Sequence, residues 1–189
     1  MFDFSKYYKK IAAELPNNCV IGEVGVADCD SALFLANELK SIGKNFKFYF
    51  IDSLQYGGTE QLNTIIKKVI ESGLSENIEV LPLDSLNASC KFNDGYFDFI
   101  FIDASHEYEL TKADIRLWYR KVKDEAIIAG HDMNMEEVRR AVLEVVPQIF
   151  VRNDIKDRNF EPEIILHTEK TDNDYGLWWF KKQWYLTLN

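Results

Sequence analysis

Short apolar runs alternate with helix-length amphipathic stretches along nearly the whole chain, and this alternation constrains the fold more than any other feature. Strand-like runs stand at 19–24, 46–51, 78–83, 97–102 and 126–129. Helical periods fall at 4–15, 31–41, 59–72, 108–122 and 135–146. A strand-helix-strand repeat requires right-handed crossovers and yields a parallel sheet with helices on both faces. A glycine or an acid closes each strand: Gly25, Asp52, Asp84, Asp103 and Asp132. Ligands of such sheets bind beyond the carboxyl ends of the strands, so these five residues are expected to look into one crevice. The tail differs, because strand-like runs at 149–152, 164–167 and 177–180 are separated only by loops. Without a crossover helix, neighbouring strands pair antiparallel. The expected fold is therefore α/β: a doubly wound, mostly parallel sheet finished by an antiparallel C-terminal strand.

No linker or repeat interrupts the 189 residues, which are read as one domain with residues 1–16 forming an amphipathic capping helix. Phe2, Phe4, Tyr7, Tyr8 and Ile11 give that helix its apolar face. The face is suited to covering an acceptor pocket, to packing on the sheet, or to pairing with a second copy in a homodimer. A net charge of -9 opposes a phosphate backbone, so nucleic acid is not an expected partner. Cys19, Cys29 and Cys90 are odd in number and lack metal-ligand spacing, which suits reduced thiols in a cytoplasmic protein. Charges at Asp3, Lys6, Lys9 and Lys10 interrupt any leader-like apolar core, and no run reaches the roughly 18 apolar residues of a membrane span.

The first strand ends in Glu23-Val-Gly25 and passes through a short polar turn into a helix near Ser31. This order lets a ligand approach the backbone closely at Gly25 and meet the positive end of the next helix. Asp52, at the tip of the second strand, is placed to accept hydrogen bonds from both hydroxyls of a ribose. Glu23 lies inside its strand, where a lone charge is costly unless paired. Ser31 fits two roles equally well, a helix N-cap or a donor to a ligand carboxylate.

Four segments resemble the class I S-adenosylmethionine-dependent methyltransferases, especially the small O-methyltransferase-like group: residues 23–32, 48–52, 97–108 and 126–132. The third of these, which leaves its strand as Asp103-x-x-His106-x-Tyr108, is the most specific. The resemblance implies a Rossmann-like methyltransferase fold, S-adenosylmethionine as cofactor, and methylation of a small-molecule acceptor at a hydroxyl oxygen. It places Glu23 and Gly25 at the methionine end, with Ser31 beside them, and Asp52 at the ribose. Asp84 and Ser85 would meet the adenine, though Asp-Ser is equally common turn chemistry. Asp103 completes the cofactor side.

Methyl transfer from a sulfonium needs alignment, plus a base when the acceptor is a neutral hydroxyl. His106 or His131 suits that task, His106 being slightly preferred, and Asp103 stands beside them. Asp103 and Asp132 also offer hard oxygens to Mg²⁺, with Asn134 or His131 as a third ligand. The chain departs from the family pattern in places. Cys29 stands where relatives carry a second glycine, flanked by Asp28 and Asp30 where a basic or small residue is usual. Lys123-Asp124-Glu125 replaces Pro-Gly-Gly, and Met133 replaces an Asn found in metal-using relatives. A catalytically degenerate binding or assembly module is the main alternative these departures suit. A nicotinamide-dependent oxidoreductase ranks lower, because the turn lacks Gly-x-Gly-x-x-Gly.

Overall fold

A computed structural model describes residues 4–151, 167–169 and 176–182. Seven strands form one sheet: β1 (Cys19–Val24), β2 (Phe46–Asp52), β3 (Ile78–Pro82), β4 (Phe97–Ile102), β5 (Val122–Gly130), β6 (His167–Glu169) and β7 (Leu177–Lys181). Among the described residues six helices accompany them: α1 (Ser5–Glu14), α2 (Asp30–Ser41), α3 (Gly58–Glu71), α4 (Ser85–Ser89), α5 (Tyr108–Lys121) and α6 (Glu136–Val151). The strand order is β3-β2-β1-β4-β5-β7-β6, with β1 to β5 parallel. β7 pairs antiparallel with both β5 and β6. This is the doubly wound, mostly parallel sheet with an antiparallel C-terminal strand that the chain pattern predicts. The order reverses between β1 and β4, the topological switch point at which ligands of open α/β sheets bind.

Two apolar layers sandwich the sheet. One joins Phe48, Phe50, Phe99 and Phe101 to α1, α2 and α3 through Tyr8, Ile11, Leu35, Leu39 and Ile65. The other joins Phe97, Ile100 and Ile128 to α5 and α6 through Ile115, Trp118, Val142 and Val145. Alternation along each strand produces both layers, since successive side chains point to opposite faces. α1 packs on the sheet: Phe4 stacks on Phe101 at 4.9 Å, and Tyr8 meets the same ring edge-on at 5.1 Å. Its C-terminal carbonyls are held by Lys44, whose Nζ donates to Ala12 (2.7 Å), Ala13 (2.8 Å) and Leu15. A cation at that helix end also opposes the negative pole of the dipole.

Two elements differ from the sequence expectation. The strand expected at 149–152 is not formed as far as Val151, because α6 continues through Pro147 to that residue; Arg152 lies outside the described residues. Val138, Ala141, Val142, Val145 and Val146 form a buried stripe at helical spacing, and that burial outweighs the β-propensity of the Ile-Phe-Val run. Of the strand expected at 164–167, only His167 is described, and it opens β6. β5 is also longer than the apolar run suggested. A register shift between Phe97 and Phe99 absorbs the polar start of β5, and Glu125 turns there with φ +63°. The charged, exposed Lys123-Asp124-Glu125 stretch carries no apolar pattern, which is why the sequence showed only the strand's second half.

Candidate active site

The tips of β1, β2, β4 and β5 are tied together by their backbones. Gly25 donates to the Ile51 carbonyl at 2.8 Å, Asp103 to Val24 at 2.8 Å, and His131 to Ile102 at 3.2 Å. Gly25 adopts φ +88°, and a Cβ there would lie 2.0 Å from the Asp103 carbonyl oxygen. Glycine is thus required by the close approach of the β4 exit as well as by its conformation.

Behind this crossing sits a buried polar group. Glu23 accepts from the Tyr8 hydroxyl at 2.6 Å and from Ser31 Oγ at 2.5 Å. Burial raises its pKa to about 7, although both hydrogen bonds pull the other way. Burial, with Glu23 beside it, pushes the Tyr8 phenol well above its ordinary value. Ser31 therefore lies inside α2 as a donor to Glu23. The N-cap of α2 is Cys29, which makes no side-chain cap bond.

The turn between β1 and α2 carries two residues in the left-handed region, Ala27 (φ 49°) and Cys29 (φ 63°). Each such residue costs about 1–2 kcal/mol relative to glycine. Asp52 braces the turn, since Oδ2 accepts from Ala27 N at 2.9 Å and Oδ1 from Leu54 N at 2.7 Å. Gln61 Nε2 donates to the Ala27 carbonyl at 2.9 Å. Asp28 and Asp30 both turn toward α3. Lys68 Nζ lies 3.1 Å from Asp28 Oδ2, 2.6 Å from Asp30 Oδ1 and 2.9 Å from the Asp28 carbonyl. Burial lowers the Lys68 pKa, but the bonds to Asp30 and Asp28 outweigh it and leave the ammonium above its usual value.

The exits of β4 and β5 form a second cluster. His106 Nε2 is 2.7 Å from Asp132 Oδ2, and His131 Nδ1 is 3.1 Å from Asp132 Oδ1. His131 Nδ1 also lies 4.0 Å from Asp103 Oδ1, and its ring packs on Phe4 at 4.8 Å. Burial raises Asp103 to about 7, opposed by His131 and aided by Asp132 and Glu23. Asp132 is buried too, yet His131 and His106 more than cancel that penalty and hold it below the ordinary carboxylate range. Its φ of +64° aims the carboxylate at both imidazoles. The side chain of Tyr108 lies elsewhere, between α5 and α6, where its hydroxyl contacts Glu144 and Lys112.

Asp84 and Ser85 follow β3, two strands out from β1. Asp84 caps α4, accepting from Asn87 N at 2.9 Å and from Asn87 Nδ2 at 2.6 Å. Ser85 Oγ accepts from Trp118 Nε1 at 2.8 Å and bonds the buried Asp114. Burial raises Asp114 from 3.8 to about 6, with the Ser85 bond opposing. A carboxyl raised in the folded state favours folding below pH 3.8, and that contribution is lost as pH rises through 6. Asp114→Asn is expected to flatten this part of a urea-denaturation pH series. The difference from wild type should grow by at most ~3 kcal/mol between pH 4 and pH 7 and then level off. Parallel curves would refute the assignment.

A family model described as a methyltransferase domain matches residues 23–133, more than half of the chain. The chain belongs to that methyltransferase family. Solved structures agree on the fold. The O-methyltransferase TomG from Streptomyces achromogenes, involved in tomaymycin synthesis and solved with S-adenosylmethionine, superposes with TM-score 0.69 at 12% identity, over 95% of this chain and 79% of that one. A Bacillus cereus O-methyltransferase in complex with S-adenosylhomocysteine gives TM-score 0.65 at 16% identity, covering 94% and 80%. An rRNA methylase from Streptococcus thermophilus gives 0.66 at 14% identity, covering 97% and 98%. No curated protein matches the sequence. The fold is that of the class I S-adenosylmethionine-dependent methyltransferases, O-methyltransferase-like.

In this methyltransferase the carboxyl ends of the parallel strands carry Glu23, Gly25, Ser31 and Asp52 around the β1 and β2 tips, and Asp103, His106, His131 and Asp132 around the β4 and β5 exits. Asp84 and Ser85 stay apart at the β3 rim. Sequence pattern did not mark Tyr8 as the partner of Glu23, nor Gln61 and Lys68 as those of the turn at Ala27, Asp28 and Asp30. Their only signal was indirect: a buried acid at Glu23 and an acidic pair at Asp28 and Asp30 both required partners. No helix among the described residues is long and apolar enough to cross a membrane.

Proposed function

We propose that the protein transfers the methyl group of S-adenosylmethionine to a hydroxyl oxygen of a small-molecule acceptor in the cytoplasm. The observation that carries this reading is the convergence of the Gly25 turn, Asp52 and the Asp103–Asp132 cluster on one switch-point crevice, inside the segment matching the methyltransferase family. Gly25 and the start of α2 would receive the methionine end, with Glu23 and Ser31 behind them. Asp52 retains lone pairs for the ribose, and Asp84 with Ser85 would border the base. Asp132 accepts from His106 Nε2–H, which leaves Nδ1 as the basic nitrogen. His106 is half exposed and stands at the crevice rim, suited to take the acceptor's proton as the methyl moves in line. The fixed Asp132 charge stabilises the imidazolium that results. The chain's net charge of -9 favours a small acceptor over a nucleic acid.

A second reading concerns a divalent cation. One ligand atom each from Asp103, His131 and Asp132 lies within 4.8 Å of the others, a donor set that fits Mg²⁺ or Mn²⁺. These three residues would hold the ion, and a bound cation supplies positive charge that acidifies a hydroxyl.

Isothermal calorimetry with S-adenosylhomocysteine, followed by methyl transfer from labelled S-adenosylmethionine to a panel of small phenols, tests the proposal. Micromolar binding and labelled ethers are expected. Absence of heat at millimolar ligand would sink it in favour of an inert methyltransferase-fold module, and activity restored only by Mg²⁺ after chelation would select the cation reading.

A further inference from the structure

The turn that would hold the methionine end is strained in this chain, and α3 is built to hold it. Ala27 and Cys29 both sit in the left-handed region without being glycines. Such residues persist only where their surroundings over-determine them. Three side chains do so here. Asp52 takes the Ala27 amide, Gln61 takes the Ala27 carbonyl, and Lys68 gathers three oxygens from Asp28 and Asp30. Gln61 and Lys68 lie two turns apart on α3, so one helix grips the turn at both ends. The same lysine draws both carboxylates toward α3, which keeps them from a ligand carboxylate arriving at the start of α2.

We infer that Lys68, assisted by Gln61, is a positioning residue for the methionine moiety of the cofactor, acting as a clamp on a turn whose left-handed Ala27 and Cys29 are not glycines. This rests on the cofactor reading above. Two consequences separate the clamp from a general contribution to folding. First, it acts mainly on the amino-acid end of the cofactor, because in that reading the ribose and base would meet β2 and β3, and Asp52 keeps its second bond, from Leu54 N, whatever the turn does. Second, it is needed in part because Cys29 is not glycine, so a glycine there should relieve part of the dependence.

The experiment compares wild type, Lys68→Met, Gln61→Ala and the double variant Cys29→Gly/Lys68→Met. Affinity is measured for S-adenosylhomocysteine and for 5′-methylthioadenosine, which lacks the amino-acid part. Lys68→Met should weaken S-adenosylhomocysteine about tenfold while changing methylthioadenosine less than about twofold. Gln61→Ala should follow with a smaller loss in the same direction. The double variant should recover a measurable part of the Lys68→Met loss, the strain at Ala27 remaining. In the ligand-free protein, amides 27–30 of Lys68→Met should exchange faster with deuterium while those of β1 and β4 keep their protection. Equal loss for both ligands, no loss for either, or unchanged exchange in the turn would overturn the inference. If wild type binds neither ligand, the cofactor reading fails and the methionine assignment fails with it, while the exchange measurement still decides whether Lys68 clamps the turn.

Discussion

Gly25→Ala is expected to be the most damaging single-methyl addition in the molecule, removing about 3–5 kcal/mol of stability and abolishing cofactor binding. An added Cβ would stand 2.0 Å from the Asp103 carbonyl oxygen, 2.6 Å from its carbon and 2.7 Å from Ala104 Cα. All three are backbone atoms, so no rotamer change relieves the overlap. The strand tips must part, and the bonds from Gly25 to Ile51 and from Asp103 to Val24 hold them together. Gly43 supplies the control. Its φ is +74°, yet nothing lies within 4 Å of a Cβ there, so Gly43→Ala carries conformational strain alone. That variant should lose only about 1–2 kcal/mol. Chemical denaturation of both, with S-adenosylhomocysteine calorimetry, isolates the steric part. Similar losses in the two variants would mean that the β1–β4 crossing is looser than the geometry says.

The contrast between those two glycines also shows what a sequence makes legible. The alternation of strand and helix marked β1 to β4 closely, because strands buried on both faces read as continuous apolar runs. The acids at their tips were equally visible, since a charge ending an apolar run has few structural reasons to be there. The end of α6 read as a strand because residues 149–151 are β-branched or aromatic types, and burial of the stripe from Val138 to Val146 outweighs that local preference. The roles of Asp84 and Ser85 were ambiguous for another reason: a residue type that caps a helix is the same type that would meet a base. The partners of Glu23 and of the acidic pair were invisible. Tyr8 and Lys68 sit in helices distant along the chain, and only the packing of α1 and α3 on one face of the sheet brings them in. Sequence exposed the charges that needed an answer, and the fold supplied the groups that answer them.

His106→Ala should cut the methyl-transfer rate by about 10²–10⁴-fold while leaving the dissociation constant for S-adenosylhomocysteine within about twofold. The separation follows from the layout. The Gly25 turn and Asp52 belong to β1 and β2, whereas His106 hangs from the β4 exit and meets Asp132 from β5. Asp132→Asn tests the orienting half of the pair. An amide presents no charge to stabilise the imidazolium, so the rate should fall nearly as far, and His106→Ala in that background should add little, as for residues acting as one unit. Asp132→Asn also removes an acid held below its ordinary pKa. Such a group lends stability above its unfolded pKa and loses it as pH falls through the folded one. The variant should therefore be destabilised at pH 7 and converge on wild type in acid. A rate unchanged by His106→Ala but abolished by Asp132→Asn would transfer the role of base to His131 or to a cation held by Asp103, His131 and Asp132, whose ligand atoms lie within 4.8 Å of one another.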